Sequence, residues 1–221
     1  MNLKIEWAYK HPKQQKESLI FTSDFLPLDE ALFFVEDIEK TGRVKQVAFF
    51  DKAGTHWSKK ELLRLQKERE TEPHDVIAYF DGGFDKDTLR AGVGNVIYYK
   101  QNQKDWRIRE NEEIKGISDN NEAEYAALLH LVQRFETLGI HHQDVIIRSD
   151  SLVVVKQMSG EWPCYEDTYV PWLERIEKQL QLLGLQPMYE IIDRHDNKEA
   201  DQLATQALQG KKISSQLDRS S

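Results

Sequence analysis

The spacing of apolar residues switches repeatedly between residues 76 and 208, and the order of the switches leaves few folds open. Val76–Asp81, Gly92–Tyr99 and Trp106–Ile114 read as three consecutive strands, the first almost continuously apolar, as a central strand covered on both faces would be. Helical spacing takes over from about Asn121 to Leu138. Then come strand Val145–Ser149, a short helix from Leu152 to about Ser159, a longer one from about Thr168 to Leu183, strand Met188–Asp193 and helix Lys198–Leu208. Hairpin strands first and helical crossovers later predict an α/β unit: a mixed five-stranded sheet with helices on both faces. Sheets of this kind place ligands at the C-terminal ends of their strands.

A separate pattern precedes it. Leu3–Tyr9 and Leu19–Phe25 are predicted strands joined by a polar run from Lys10 to Lys16. From Asp29, helical spacing of Ala31, Leu32, Phe34, Val35 and Ile38 leads to a stop at Thr41-Gly42. Lys45–Asp51 is a third strand, and Ser58 with Glu61 forms a capping-box signature for a charged helix through about Glu70. The polar stretch from Lys67 to His74, with Pro73 near its end, marks a linker. The expected organisation is a small α+β (ββαβα) accessory domain over 1–73, a larger α/β domain over 74–208 and a flexible, Ser-rich tail over 209–221.

No apolar run approaches the roughly 20 residues needed to span a bilayer, and the first residues lack the apolar core of a signal peptide, so a cytoplasmic protein without a membrane partner is expected. The single cysteine, Cys164, lies in an aromatic setting and reads as packing. The net charge of −8 is uneven. Residues 1–73 carry 13 Lys+Arg against 13 Asp+Glu, which leaves 17 against 25 for the rest. Such acidity argues against a salt-resistant grip on nucleic acid, but not against carboxylate-based metal chemistry.

Four acids stand out by position. Asp81 ends a predicted strand and precedes Gly82-Gly83, an arrangement that leaves room for a phosphate to approach. Glu124 lies early in a predicted helix, on the stripe of Leu128, Leu131 and Phe135, where a lone buried carboxylate would be costly without a partner such as a metal. Asp150 ends another strand, and Asp201 lies in the first turn of the last helix. Taken singly, a turn aspartate, a helix cap and a solvated helical aspartate explain three of them. Carboxylates gathered from separate elements are the oxygen-only donor set that Mg²⁺ and Mn²⁺ prefer.

In their order the four frames resemble the ribonuclease H family: a strand ending Asp81-Gly82-Gly83, the run Asn120-Asn121-Glu122-Ala123-Glu124-Tyr125, Ser149-Asp150-Ser151 followed by Gln157 to Trp162, and Arg194 to Ala204 around Asn197 and Asp201. The resemblance covers about residues 75–208. It implies that Asp81, Glu124, Asp150 and Asp201 bind two Mg²⁺ or Mn²⁺ ions and cleave the RNA strand of an RNA/DNA hybrid, leaving a 5′-phosphate and a 3′-hydroxyl. Glu122 competes for the second position, although its i+4 neighbour Ala126 places it less clearly inward.

His195 is the candidate for the histidine that many members carry before the last acid; a plain surface histidine is the other reading. His141-His142 follows a helix and reads as structural. The basic, aromatic protrusion of more active members has no counterpart between Gly160 and Tyr169, where the chain is acidic. Lys10, Lys13 and Lys16 with Trp7 and Tyr9 could supply a substitute surface, and residues 1–73 could equally meet a protein partner. The expected function is thus a ribonuclease H-type endonuclease, with a non-catalytic or weakly active nucleic-acid-binding adaptor as the alternative.

Overall fold

A computed structural model describes residues 1–11 and 19–220. Lys13 and Lys16 lie outside the described residues. The chain divides into two compact units, Met1–Arg69 and Glu70–Ser221.

In the first unit, β1 (Asn2–Tyr9), β2 (Leu19–Pro27), α1 (Leu28–Lys40), β3 (Val44–Asp51), β4 (His56–Trp57) and α2 (Lys59–Thr71) follow in sequence. The strands form an antiparallel sheet in the order β2-β1-β3-β4, so the expected ββαβα unit gains the two-residue strand β4. Gly42 stops α1 with φ of 66°, its N–H donating to the Glu39 carbonyl. The capping box of α2 is present: Ser58 N–H donates to Glu61 Oε2 at 2.8 Å and Glu61 N–H to Ser58 Oγ at 3.2 Å. Leu3, Ile5 and Phe49 of the sheet meet Leu28, Ala31, Leu32 and Val35 of α1 and Leu62 of α2 in one core. Both helices therefore cover the same sheet face.

The second unit contains β5 (His74–Asp85), β6 (Arg90–Gln101), β7 (Lys104–Lys115), α3 (Asn120–Leu138), β8 (Asp144–Ser149), α4 (Leu152–Met158), α5 (Val170–Leu182), β9 (Gln186–Ile191), α6 (Lys198–Leu208) and β10 (Ser214–Asp218). Its mixed sheet runs β10-β7-β6-β5-β8-β9, with β5-β8 and β8-β9 parallel. Val76, Ala78 and Phe80 of β5 join Leu128, Leu131 and Phe135 of α3 and Ile176 of α5 in the main core. On the opposite face α6 packs Ala200 and Leu203 against Val96. Asp119 caps α3 by accepting from Glu122 N–H at 2.9 Å, and Gly139 ends it in the left-handed conformation.

The expected flexible tail over 209–221 needs correction. Ser214–Asp218 adds a sixth strand antiparallel to β7, and the Asn111 side chain fixes its start, donating to the Lys211 carbonyl and accepting from Ile213 N–H. A polar strand on a sheet edge is held by main-chain bonds and needs no apolar alternation, so its sequence looks like tail. The central strand is also longer than expected. β5 runs on through Asp85 against β6, whereas its pairing with β8 stops at Tyr79.

Candidate active site

Asp81 lies just beyond the last β5–β8 pair and is only 8% exposed. The glycine after it is required for packing: a Cβ on Gly82 would lie 2.3 Å from the carbonyl carbon of Ala123, so α3 rests directly on this point of the strand. Gly83 faces Leu208 of α6 at an ordinary van der Waals distance. Of the pair, only Gly82 is therefore required for the seating of a helix. The close approach of α3 also brings Glu124, 7% exposed, over the strand, where Gly82 N–H donates to its Oε2 at 3.1 Å.

Asp150 follows directly on β8 and accepts from Asn197 Nδ2 at 2.6 Å. Asp201, in the first turn of α6, accepts from Arg194 Nη2 at 2.9 Å. Asp81 lies within the electric field of Asp150 and Asp201, and Glu124 within that of Asp81 and Asp150. Burial first, then the charges of Asp150 and Asp201, push Asp81 up to about 7, with Arg194 pulling the other way. Burial, Asp81 and Asp150 hold Glu124 well above the usual carboxylate range, opposed by the Gly82 N–H and Arg194. The hydrogen bond to Asp201, then the charges of Asp201, Asp150 and Asp81, raise Arg194 in turn.

This is electrostatic convergence, not a formed metal cage. Among the described residues, no three His, Cys, Asp or Glu side chains are gathered so that they could hold a metal ion. Asp150 is turned to Asn197 and Asp201 to Arg194. The donor chemistry nevertheless fits hard divalent cations: four carboxylates, two of them raised above the usual carboxylate range first by burial and then by neighbouring acids.

Glu122 is as inward as its rival, at 8% exposure, contrary to the inference from Ala126. Its partners distinguish it. Oε2 accepts from Ser118 N–H and Oγ at 2.7 and 2.6 Å, and Oε1 from Trp172 Nε1 at 3.0 Å, so this carboxylate fixes the start of α3 and its seat against α5. His195 is exposed in the loop before α6, with Nδ1 3.3 Å from Asp196 Oδ1. His141 and His142 pack edge to face at 5.2 Å, and His142 N–H donates to the Leu183 carbonyl. Cys164 is a free thiol, partly buried.

Sequence reasoning gave no role to Asn197. It occupies the N-cap position of α6 but makes no side-chain cap; its buried amide donates to the Phe80 carbonyl at 3.0 Å and to Asp150. The opposing Arg194 likewise reveals itself only in three dimensions.

The fold and its carboxylates define a ribonuclease H-like domain preceded by a small sheet domain. A family model described as reverse transcriptase-like matches residues 79–207, and the chain belongs to that family. The chain is 41% identical over 201 residues to the Bacillus subtilis protein YpeP, covering 90% of this chain and 88% of that one, a span longer than the second unit and so reaching into the first. It is 32% identical over 136 residues to ribonuclease HI of Halobacterium salinarum, covering 60% of this chain and 64% of the relative's length. Among solved structures, LC11-RNase H1 in complex with an RNA/DNA hybrid superposes with a TM-score of 0.54 at 26% identity, over 62% of this chain and 98% of that one.

Proposed function

We propose that this chain is a divalent-metal-dependent endonuclease that hydrolyses the RNA strand of RNA/DNA hybrids. The observation that carries the proposal is geometric: on a ribonuclease H-like sheet Asp81 and Glu124 are both buried, the Gly82 N–H next to Asp81 donates to Glu124, and Asn197 ties Asp150 to the carbonyl of Phe80, the residue before Asp81. Likeness to an RNase H1 solved with a hybrid supports the substrate class. The four carboxylates would hold two Mg²⁺ or Mn²⁺ ions, which when bound supply an acidified water and neutralise charge on the leaving oxygen.

The other roles fall to the chain itself. Asn197 fixes one oxygen of Asp150, so that its second oxygen is presented in a set direction. Arg194 holds Asp201 by an exposed ion pair and gives it up when a stronger cation competes. His195, exposed in the loop before α6, is the group proposed to pass a proton to the departing 3′-oxygen.

The test is cleavage of a labelled RNA/DNA hybrid in Mg²⁺ or Mn²⁺, with single- and double-stranded RNA and DNA as controls. The expected result is cutting of the hybrid's RNA strand alone, abolished in Asp81→Asn while the circular dichroism spectrum is unchanged. Equal cleavage by that variant would sink the site assignment. The adaptor alternative draws on the acidic second unit, with 17 Lys+Arg against 27 Asp+Glu over Glu70–Ser221, and predicts hybrid binding without cleavage in either metal.

A further inference from the structure

In the first unit, strand register puts one row of side chains on the face opposite the helices. Cα pairing aligns Phe25 of β2, Lys4 of β1, Phe50 of β3 and His56 of β4. Their neighbours Leu3, Ile5 and Phe49 point into the helix-covered core, so alternation turns this row the other way. Phe25 is 43% exposed. The Lys4 ammonium lies 6.0 Å from the centre of the Phe25 ring, and the Phe50 and His56 rings pack edge to face at 5.5 Å. The adjoining row, Thr22, Glu6 and Ala48, carries no bulky side chain except Glu6, and Lys4 and Phe50 are half-buried beside the exposed Phe25.

Trp7 is not part of this surface. It stacks on Phe21 at 5.4 Å and packs against the core on the helix side. Two phenyl rings one strand apart on either side of a lysine, roughly 10 Å from each other, suit unpaired bases on the rings and a phosphate at the ammonium. The charge balance agrees. Met1–Arg69 carries 13 Lys+Arg against 11 Asp+Glu, in contrast to the strongly acidic second unit.

We infer that this open sheet face binds a single-stranded polynucleotide through Phe25, Lys4 and Phe50. The inference deepens the proposed nuclease function, on which it rests: it adds unpaired polynucleotide to what the chain binds. A paired duplex buries its base faces and cannot use such rings.

The experiment is fluorescence anisotropy of the full chain, in EDTA so that nothing is cut, with labelled unstructured 15-mers of RNA and of DNA and with a blunt RNA/DNA hybrid. The Phe25→Ala/Phe50→Ala double variant is expected to weaken binding of single strands about tenfold or more. Lys4→Ala is expected to shallow the salt dependence by about one unit of slope. Phe33→Ala, an exposed ring on α1, is the control and leaves binding unchanged. The RNA and DNA arms show which strand is preferred.

Several outcomes would overturn the inference: a folded double variant that binds single strands like wild type, an equal loss in Phe33→Ala, an equal loss of blunt-hybrid binding, or a dimer that the double variant disperses. Failure here is separable from failure of the nuclease reading. The double variant should still cut a blunt hybrid at the wild-type maximal rate, whereas Asp81→Asn should bind single strands normally and cut nothing.

Discussion

At Asp81, burial and two neighbouring carboxylates act in the same direction, and the acid keeps its proton up to about pH 7 instead of 3.8. The unfolded chain releases that proton near the ordinary value, so between pH 3.8 and about 7 the native state binds more protons than the unfolded one. Stability in a chelator should therefore fall as pH rises through that window and level off above it. Glu124, also raised, adds to the fall. Thermal melts in EDTA across this range should show the decline, and Asp81→Asn should flatten it; parallel curves for the two proteins would contradict the burial argument. Asn197 makes a second residue-scale prediction. Asn197→Ala removes the donor shared by the Phe80 carbonyl and Asp150, and should cost about 1–3 kcal/mol in urea unfolding together with a marked fall in hybrid cleavage. Asp150 and Asp201 were visible in the sequence because one follows a strand and the other opens a helix, and Asp81 because Gly82-Gly83 breaks the apolar run there, although β5 itself continues to Asp85. Asn197 was not, because its partners lie at residues 80 and 150. Burial could not separate Glu122 from Glu124; only the positions of Ser118 and Trp172 do so.

Among the elements, the contact between α6 and β6 depends on missing side chains. A Cβ on Gly94 would lie 2.2 Å from the Ala200 carbonyl oxygen and 2.6 Å from the Ala204 nitrogen, and one on Gly92 2.0 Å from the Ala204 carbonyl oxygen. These are backbone atoms of a helix, which cannot swing aside. Gly94→Ala should lower the unfolding free energy by about 1–3 kcal/mol and, by lifting the helix that carries Asp201, slow cleavage as well. Urea titration alongside an activity assay tests both. Helices α3 and α6 and strands β5 to β8 could be read from apolar period because each buries a stripe or a face, whereas β9, expected at Met188–Asp193, runs over Gln186–Ile191 and has no fully buried residue. β10 and β4 could not, since a polar edge strand and a two-residue bridge leave no periodic trace.

Taken whole, the molecule has separate cores, with Leu3, Ile5, Phe49 and Leu62 in one unit and the α3-centred cluster in the other. Each core is drawn from its own stretch of chain. A fragment spanning Glu70–Ser221 is therefore expected to melt cooperatively and to retain hybrid cleavage; a fragment without a cooperative transition would show that the first unit is needed to complete the second. The two-unit organisation and the ribonuclease H-like plan were open to sequence reading, and the open aromatic face of the first sheet was not, because it depends on cross-strand register. One consequence concerns synthesis. Domains generally fold from the N-terminus onward as the ribosome delivers them. The first unit can settle early, but the second must wait for α6 and β10, which emerge after every strand they cover or extend. Asp201 travels with that late helix, so a nascent chain that has already shaped its leading sheet still lacks the last of its proposed ligands, and nuclease activity would switch on only when translation has passed α6.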